Sequence, residues 1–370
     1  MHEISIIIKQ LAPDSYSNPA KEPRNGTADL LKGLAVLFMI QVHILEQFGT
    51  TESFESMIGR VILFLGGPPC APVFIAIMGY YLASSTKNLQ YFLKRGISLF
   101  VAGLLLNVGR SANLLIHIAT GQVQLDPLFY ILSADILTLA GLSIIIIGAL
   151  RKILRNSALG FFIVALAIAL VSSLLPAVTP SSLLSSYLLS FFINAGPSGY
   201  FPFIPWFAYV LTGYAFHLFM KLEIVRHKLN PEKYYLLLIP LSIFLILTIP
   251  WASAITNNLE AASGYYHHGV LFFGWVLLFI LSYLVIVKSV DNVAGKHFLL
   301  KWVKWFGENV TLVYIIQWLI IGNLATELYR TQNVIQMLLW FISISVLTFL
   351  LSFGYVRFRF FFFRKRIISE

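Results

Sequence analysis

Apolar residues along this chain come in long unbroken runs, not at the spacing of an amphipathic helix or strand. From Leu30 onward the runs are parted only by short polar gaps. A membrane-crossing helix needs about 20 mostly apolar residues, within a range of roughly 17–25. Such runs occur at 30–48, 61–86, 96–112, 127–150, 158–176, 202–220, 235–254, 269–288, 305–323 and 335–356. They predict an all-α, polytopic membrane bundle of about ten transmembrane helices. The organisation expected is a polar tail at 1–29, a membrane domain at 30–356 and a basic tail at 357–370. Two stretches depart from the pattern. Gly66-Gly67-Pro68-Pro69-Cys70-Ala71-Pro72 interrupts the second run, and proline both removes a backbone donor and clashes with the preceding turn. Broken backbone at membrane depth is tolerated where it is buried in protein or lines a cavity. The stretch 183–195 is apolar but too short to cross, which suits a re-entrant or interfacial helix.

Charge supplies a direction for each run. With the N-terminus placed in the cytoplasm, the loops on that side collect every one of the 26 Lys and Arg except Arg60, Arg110 and Arg330. Basic residues concentrate in cytoplasmic loops. The split therefore predicts an even number of crossings with both termini cytoplasmic, in the inner membrane of the cell. Composition agrees: 58% of residues are hydrophobic and 11% charged, against about a quarter charged in soluble domains. A net charge of +10 then belongs to loops facing anionic lipid, and nucleic acid is not expected as a partner. The lone cysteine, Cys70, excludes an intrachain disulfide.

Once directions are assigned, depths can be compared at about 1.5 Å per residue. His43 lies about 20 Å from the inner boundary of the first run. Asp135 and Gln317 fall near 18 Å, and Asn107 near 16 Å. Four polar side chains on different helices thus share a layer. Ionisable residues inside spans are expensive and mark functional sites by default. A lone Asn or Gln also serves as interhelical glue, so Asn107 and Gln317 carry both readings. His43 suits proton transfer near neutrality. Asp135 needs a partner if it is buried as an anion, and pairing with His43 is the expectation. His268, at an outer edge beside His267, is a further candidate for contact with substrate.

Several motifs then occur in order. They are Arg24-Asn-Gly-Thr-Ala-Asp29-Leu-Leu-Lys32-Gly33 running to Met39 and His43, Ala71-Pro72-Val73-Phe74 with Met78-Gly79, and Lys94-Arg95-Gly96. Phe201-Pro202-Phe203-Ile204-Pro205-Trp206 and Gly307-Glu308-Asn309-Val310-Thr311-Leu312-Val313-Tyr314 follow. Together they resemble an integral-membrane acyltransferase superfamily. It includes the heparan-alpha-glucosaminide N-acetyltransferase catalytic domain and bacterial envelope O-acyltransferases. The resemblance runs from Arg24 to about Gly322. It departs at two places: Lys32 stands where the family usually has Arg, and Gln317 where relatives often carry His.

The resemblance implies transfer of an acetyl group from acetyl-CoA to a sugar or glycoconjugate acceptor. His43 and Asp135 would be the catalytic pair. Lys32, Arg24, Asp29 and Arg95 would hold the donor, and Asn107, Gln317, Trp206 and His268 would contact substrate. The proline break would offer backbone N–H groups to the oxyanion. Lipid, acyl-CoA and the acceptor are the partners implied, and a homodimer stays open. Two other readings remain: a transporter or flippase for an envelope glycoconjugate, and a non-catalytic relative that kept the fold.

Overall fold

The computed structural model describes residues 25–196, 198–222, 231–257 and 264–368. Among them the regular elements are helices. The longer helices are α1 (Gly26–Phe48), α2 (Met57–Gly66), α3 (Ala71–Ala83), α4 (Leu89–Arg110), α5 (Ile136–Ile153) and α6 (Ala158–Leu174). They continue as α7 (Phe203–Met220), α8 (Pro231–Thr256), α9 (Val270–Ala294), α10 (Phe298–Glu308), α11 (Val310–Leu328) and α12 (Val334–Ile368). Nine spans among the described residues are long and apolar enough to cross a membrane, with α2 and α3 forming one of them. The tenth expected crossing, α6, has 17 residues, at the short edge of the spanning range. The 183–195 stretch forms only a short helix, Leu183–Leu189.

Three expectations need correction in detail. The second crossing is indeed broken, by a turn at residues 67–70 between α2 and α3. Its Gly67 and Cys70 N–H groups bond the carbonyls of Phe64 and Gly67, at 3.1 and 3.0 Å. Both are therefore spent within the turn. The run at 127–150 is not one helix. A short helix, Pro127–Ile131, is followed by irregular backbone, and α5 begins only at Ile136 with Asp135 as its N-cap. Asn107 explains how that break survives. Its side-chain amide donates to the carbonyls of Ile131 and Ser133, at 3.2 and 2.8 Å, and so satisfies backbone that lipid could not. At the C-terminal end, α12 runs on past residue 357 to Ile368, so the basic segment continues the helix.

α1 is the axis of the bundle. It packs against α2, α3, α9, α10, α11 and α12. Gly33 and Gly307 make its crossing with α10 very close: a Cβ on Gly33 would meet the Val303 backbone, and one on Gly307 the Asp29 backbone. Small residues let membrane helices approach in this way. The N-terminus of α1 is tied down as well. Thr27 Oγ1 donates to Asp291 Oδ2 at 3.0 Å, and Asp291 is ion-paired with Lys304. At its other end a bridge joins Gly49 to Gln332. α1 is thereby fixed at both ends, and side chains along it hold defined positions.

Candidate functional site

Two groups of candidate side chains lie along α1. The first is at its N-terminal, basic end. A cavity of about 230 Å³ opens there, lined by residues of α1, α3, α4, α5 and α11. Lys32 and Arg95 supply its charge, and Tyr81, Phe74, Leu137 and Thr311 form part of its wall. Lys32 Nζ pairs with Asp29 at 2.7 Å and lies 5.9 Å from the centre of the Tyr81 ring. Arg95 Nη1 donates to Tyr91 at 3.1 Å. The expected donor residues Lys32, Asp29 and Arg95 are thus brought together, while Arg24 lies outside the described residues.

The second group surrounds His43. Eleven residues separate it from Lys32, about three turns or some 16 Å, so the two share one face of α1. Val36, Met39 and Ile40 are buried between them. The ring of His43 lies against Trp318, with centroids 3.9 Å apart. Its Nδ1–H donates to Gln317 Oε1 at 3.3 Å. Asp135 does not bond His43, contrary to expectation. Its Oδ2 accepts from Arg110 Nη1 at 2.9 Å, and its Oδ1 accepts from the Tyr314 hydroxyl. The physical reason lies in the break before α5. As an N-cap, Asp135 sits at the helix mouth, facing the end of α4, where Arg110 is the last residue. Arg110 also lies over Trp318, its guanidinium carbon 4.5 Å from the ring centre. His43, Trp318, Arg110, Asp135 and Tyr314 therefore form one connected set across α1, α4, α5 and α11. Asn107 supports this set by holding the backbone before α5.

Residues 264–269, just before α9, form a strap that reaches this group. Tyr266 donates to Glu46 Oε1 at 3.2 Å, and Trp206 Nε1 donates to the Tyr266 carbonyl at 2.8 Å. His268 Nδ1–H donates to the Tyr265 carbonyl, and its Nε2 accepts from the Tyr209 hydroxyl, both at 2.8 Å. Both ring nitrogens of His268 are thereby engaged in holding the strap. Burial holds His267 and His268 neutral, with pKa values lowered to about 4. Cys70 is buried and donates to the Ala35 carbonyl at 3.2 Å, a packing role.

Arg110, Glu46, Tyr314 and Trp318 escaped the sequence reading. Arg110 had a signal, as one of three basic residues off the charge split. Glu46 is a carboxylate one turn beyond His43 inside an apolar run. Tyr314 closes the late motif but was given no role there, and Trp318 had no signal, because aromatic residues in membrane helices are ordinary core.

A family model described as heparan-alpha-glucosaminide N-acetyltransferase, catalytic, matches residues 24–245. No curated protein and no solved structure matches the chain. The matched stretch holds Lys32, His43, Arg95, Arg110 and Asp135, whereas Tyr314, Gln317 and Trp318 lie beyond it.

Proposed function

The chain belongs to the family of heparan-alpha-glucosaminide N-acetyltransferase catalytic domains, and on that premise we propose that it moves an acetyl group from acetyl-CoA to a sugar hydroxyl or amine. Membership makes it a membrane acetyltransferase-like protein. Donor, acceptor and direction are the further reading. The donor enters at the basic end, on the cytoplasmic side, and the acceptor arrives from the far end. One observation carries this: α1 presents Lys32 at the rim of a cavity and His43 on the same face about three turns deeper.

CoA is polyanionic, and Lys32 and Arg95 are the cations that would meet its phosphates. Lys32 is already paired with Asp29, so a phosphate would share or displace that carboxylate. As an ammonium in place of the family's usual guanidinium, Lys32 offers a point charge and no bidentate fork. The cavity suits the thin pantetheine arm, with the nucleotide outside the rim. To reach His43 the arm must pass Val36, Met39 and Ile40, and methionine is a side chain that adapts readily.

At the far end, Gln317 accepts from Nδ1–H of His43. That bond leaves Nε2 with its lone pair, the atom that would take the acceptor's proton. Tautomer control by the group behind an imidazole is general. The Trp318 face can accommodate the imidazolium that forms. Asp135 would then act on the site through Arg110 and Tyr314, and Trp206 and His268 by holding the strap. The test is transfer of radiolabelled acetyl from acetyl-CoA in membranes carrying the wild type or His43→Ala. Loss of transfer in the variant is expected, and normal transfer would remove the role given to His43.

A further inference from the structure

A reaction of this class needs something to stabilise the charge on the thioester oxygen. Within the proline break, the Gly67 and Cys70 N–H groups are spent on carbonyls of the turn. Arg110 is placed differently. One edge of its guanidinium meets Asp135 at 2.9 Å, and one face lies over Trp318 at 4.5 Å. An arginine carries five N–H donors in a rigid fork. Among the described residues, Asp135 is the hydrogen-bond acceptor that Arg110 meets. Its side chain is 13% exposed while that of Asp135 is 5% exposed, so Arg110 is the more open member of the pair. The same indole carries His43 at 3.9 Å. A fixed cation with spare donors therefore stands beside the ring that would act as base.

We propose that Arg110 is a catalytic residue that binds the oxyanion in the acyl transfer, an inference that rests on the reading of the site above. The acceptor's lone pair attacks the thioester carbonyl carbon, and its proton passes to Nε2 of His43. The carbonyl π pair moves onto oxygen, and that oxygen faces the Arg110 fork. Collapse re-forms the C=O bond and breaks the carbon–sulfur bond. The CoA thiolate leaves and takes the proton back from the imidazolium, giving acylated acceptor and free CoA. Asp135 and Trp318 hold the guanidinium in place before the charge appears, which is what makes such stabilisation effective.

The rival is that Arg110 merely neutralises a buried carboxylate. Three variants separate the two: Arg110→Gln, Asp135→Asn and the double variant Arg110→Gln/Asp135→Asn. Thermal stability in detergent, acetyl-CoA binding and kcat are measured for each. Arg110→Gln should lower kcat about a hundredfold, the cost of one lost oxyanion donor, and should also lose stability by stranding Asp135. In the double variant stability and donor binding should return while kcat stays about a hundredfold down. Asp135→Asn, which keeps the cation, should lose less than about tenfold, as for one neutral hydrogen bond. Recovery of both stability and kcat in the double variant would overturn the proposal. Transfer that survives His43→Ala yet falls with the double variant would remove the base and leave the oxyanion site standing.

Discussion

At the basic end, Lys32 and Arg95 stand at a cavity with a largely apolar wall, and their bonds are local ones to Asp29 and Tyr91 within their own helices. Around His43 polar groups are tied across helices: Gln317 to His43, Arg110 and Tyr314 to Asp135, Tyr266 to Glu46. The first region is open and adaptable. The second is closed and preorganised. That contrast fits a division in which one region captures a large anionic donor and the other performs chemistry on its reactive tip. Capture tolerates loose geometry because a point charge attracts phosphate from many angles. Chemistry does not, since a misplacement of about 1 Å can cost about a hundredfold.

If the division holds, changes at the two regions should move different kinetic constants. The largest effect belongs to His43→Ala. Loss of a general base costs about 10²–10⁴ in rate, so kcat should fall by that much with the KM for acetyl-CoA little changed; a pure KM effect would break the comparison. Next come Lys32→Ala and Arg95→Ala. A charge-assisted bond contributes about 1.5–3 kcal/mol, so each should raise the KM for acetyl-CoA about ten- to a hundredfold and leave kcat within a few fold. Titrating salt would sharpen this, because screening should weaken donor capture in the wild type more than in the variants. Gln317→Leu should be milder, lowering kcat by about tenfold or less, the scale of one neutral hydrogen bond. A kcat–pH profile unaltered by that change would remove Gln317 from the account.

Acid provides the smallest expected effect, and it concerns the strap. The ordinary pKa of histidine is about 6.5, and burial lowers His267 and His268 to about 4 in the folded protein. Between those values the unfolded chain binds more protons than the folded one. The stabilisation is therefore complete above about pH 6.5 and is lost as pH falls toward 4. Melting temperature should decline across that window, and His267→Gln/His268→Gln should flatten the decline. An equal slope in the variant would show that the strap is not the acid-sensitive element.

What the sequence revealed and what it hid follow from the same physics. The crossings were legible because a bilayer demands a run of apolar residues whatever the neighbours are. Lys32, Arg95 and His43 were legible because charge inside or beside such a run has few bland explanations. The interruption before α5 was not legible, because Leu132-Ser133-Ala134 reads as continued helix and only Asn107, on α4, supplies the bonds that allow it to open. The partner of Asp135 was hidden for the same reason. Depth along an ideal helix placed it level with His43, but a cap points where its helix begins. Arg110 was sorted by the side of the membrane it fell on, and burial cannot be counted that way.

The close crossing at Gly33 and Gly307 also has a consequence for biogenesis. His43 and its partner Gln317 are 274 positions apart. During synthesis the first helix enters the membrane long before α10 and α11 exist to pack on it. It must therefore wait with His43 lacking its Gln317 partner, sheltered by lipid and by its nearer neighbours. Folding of the site is completed by the last third of the chain. The late helices act as a latch, and a nascent protein has no competent centre until they close on α1.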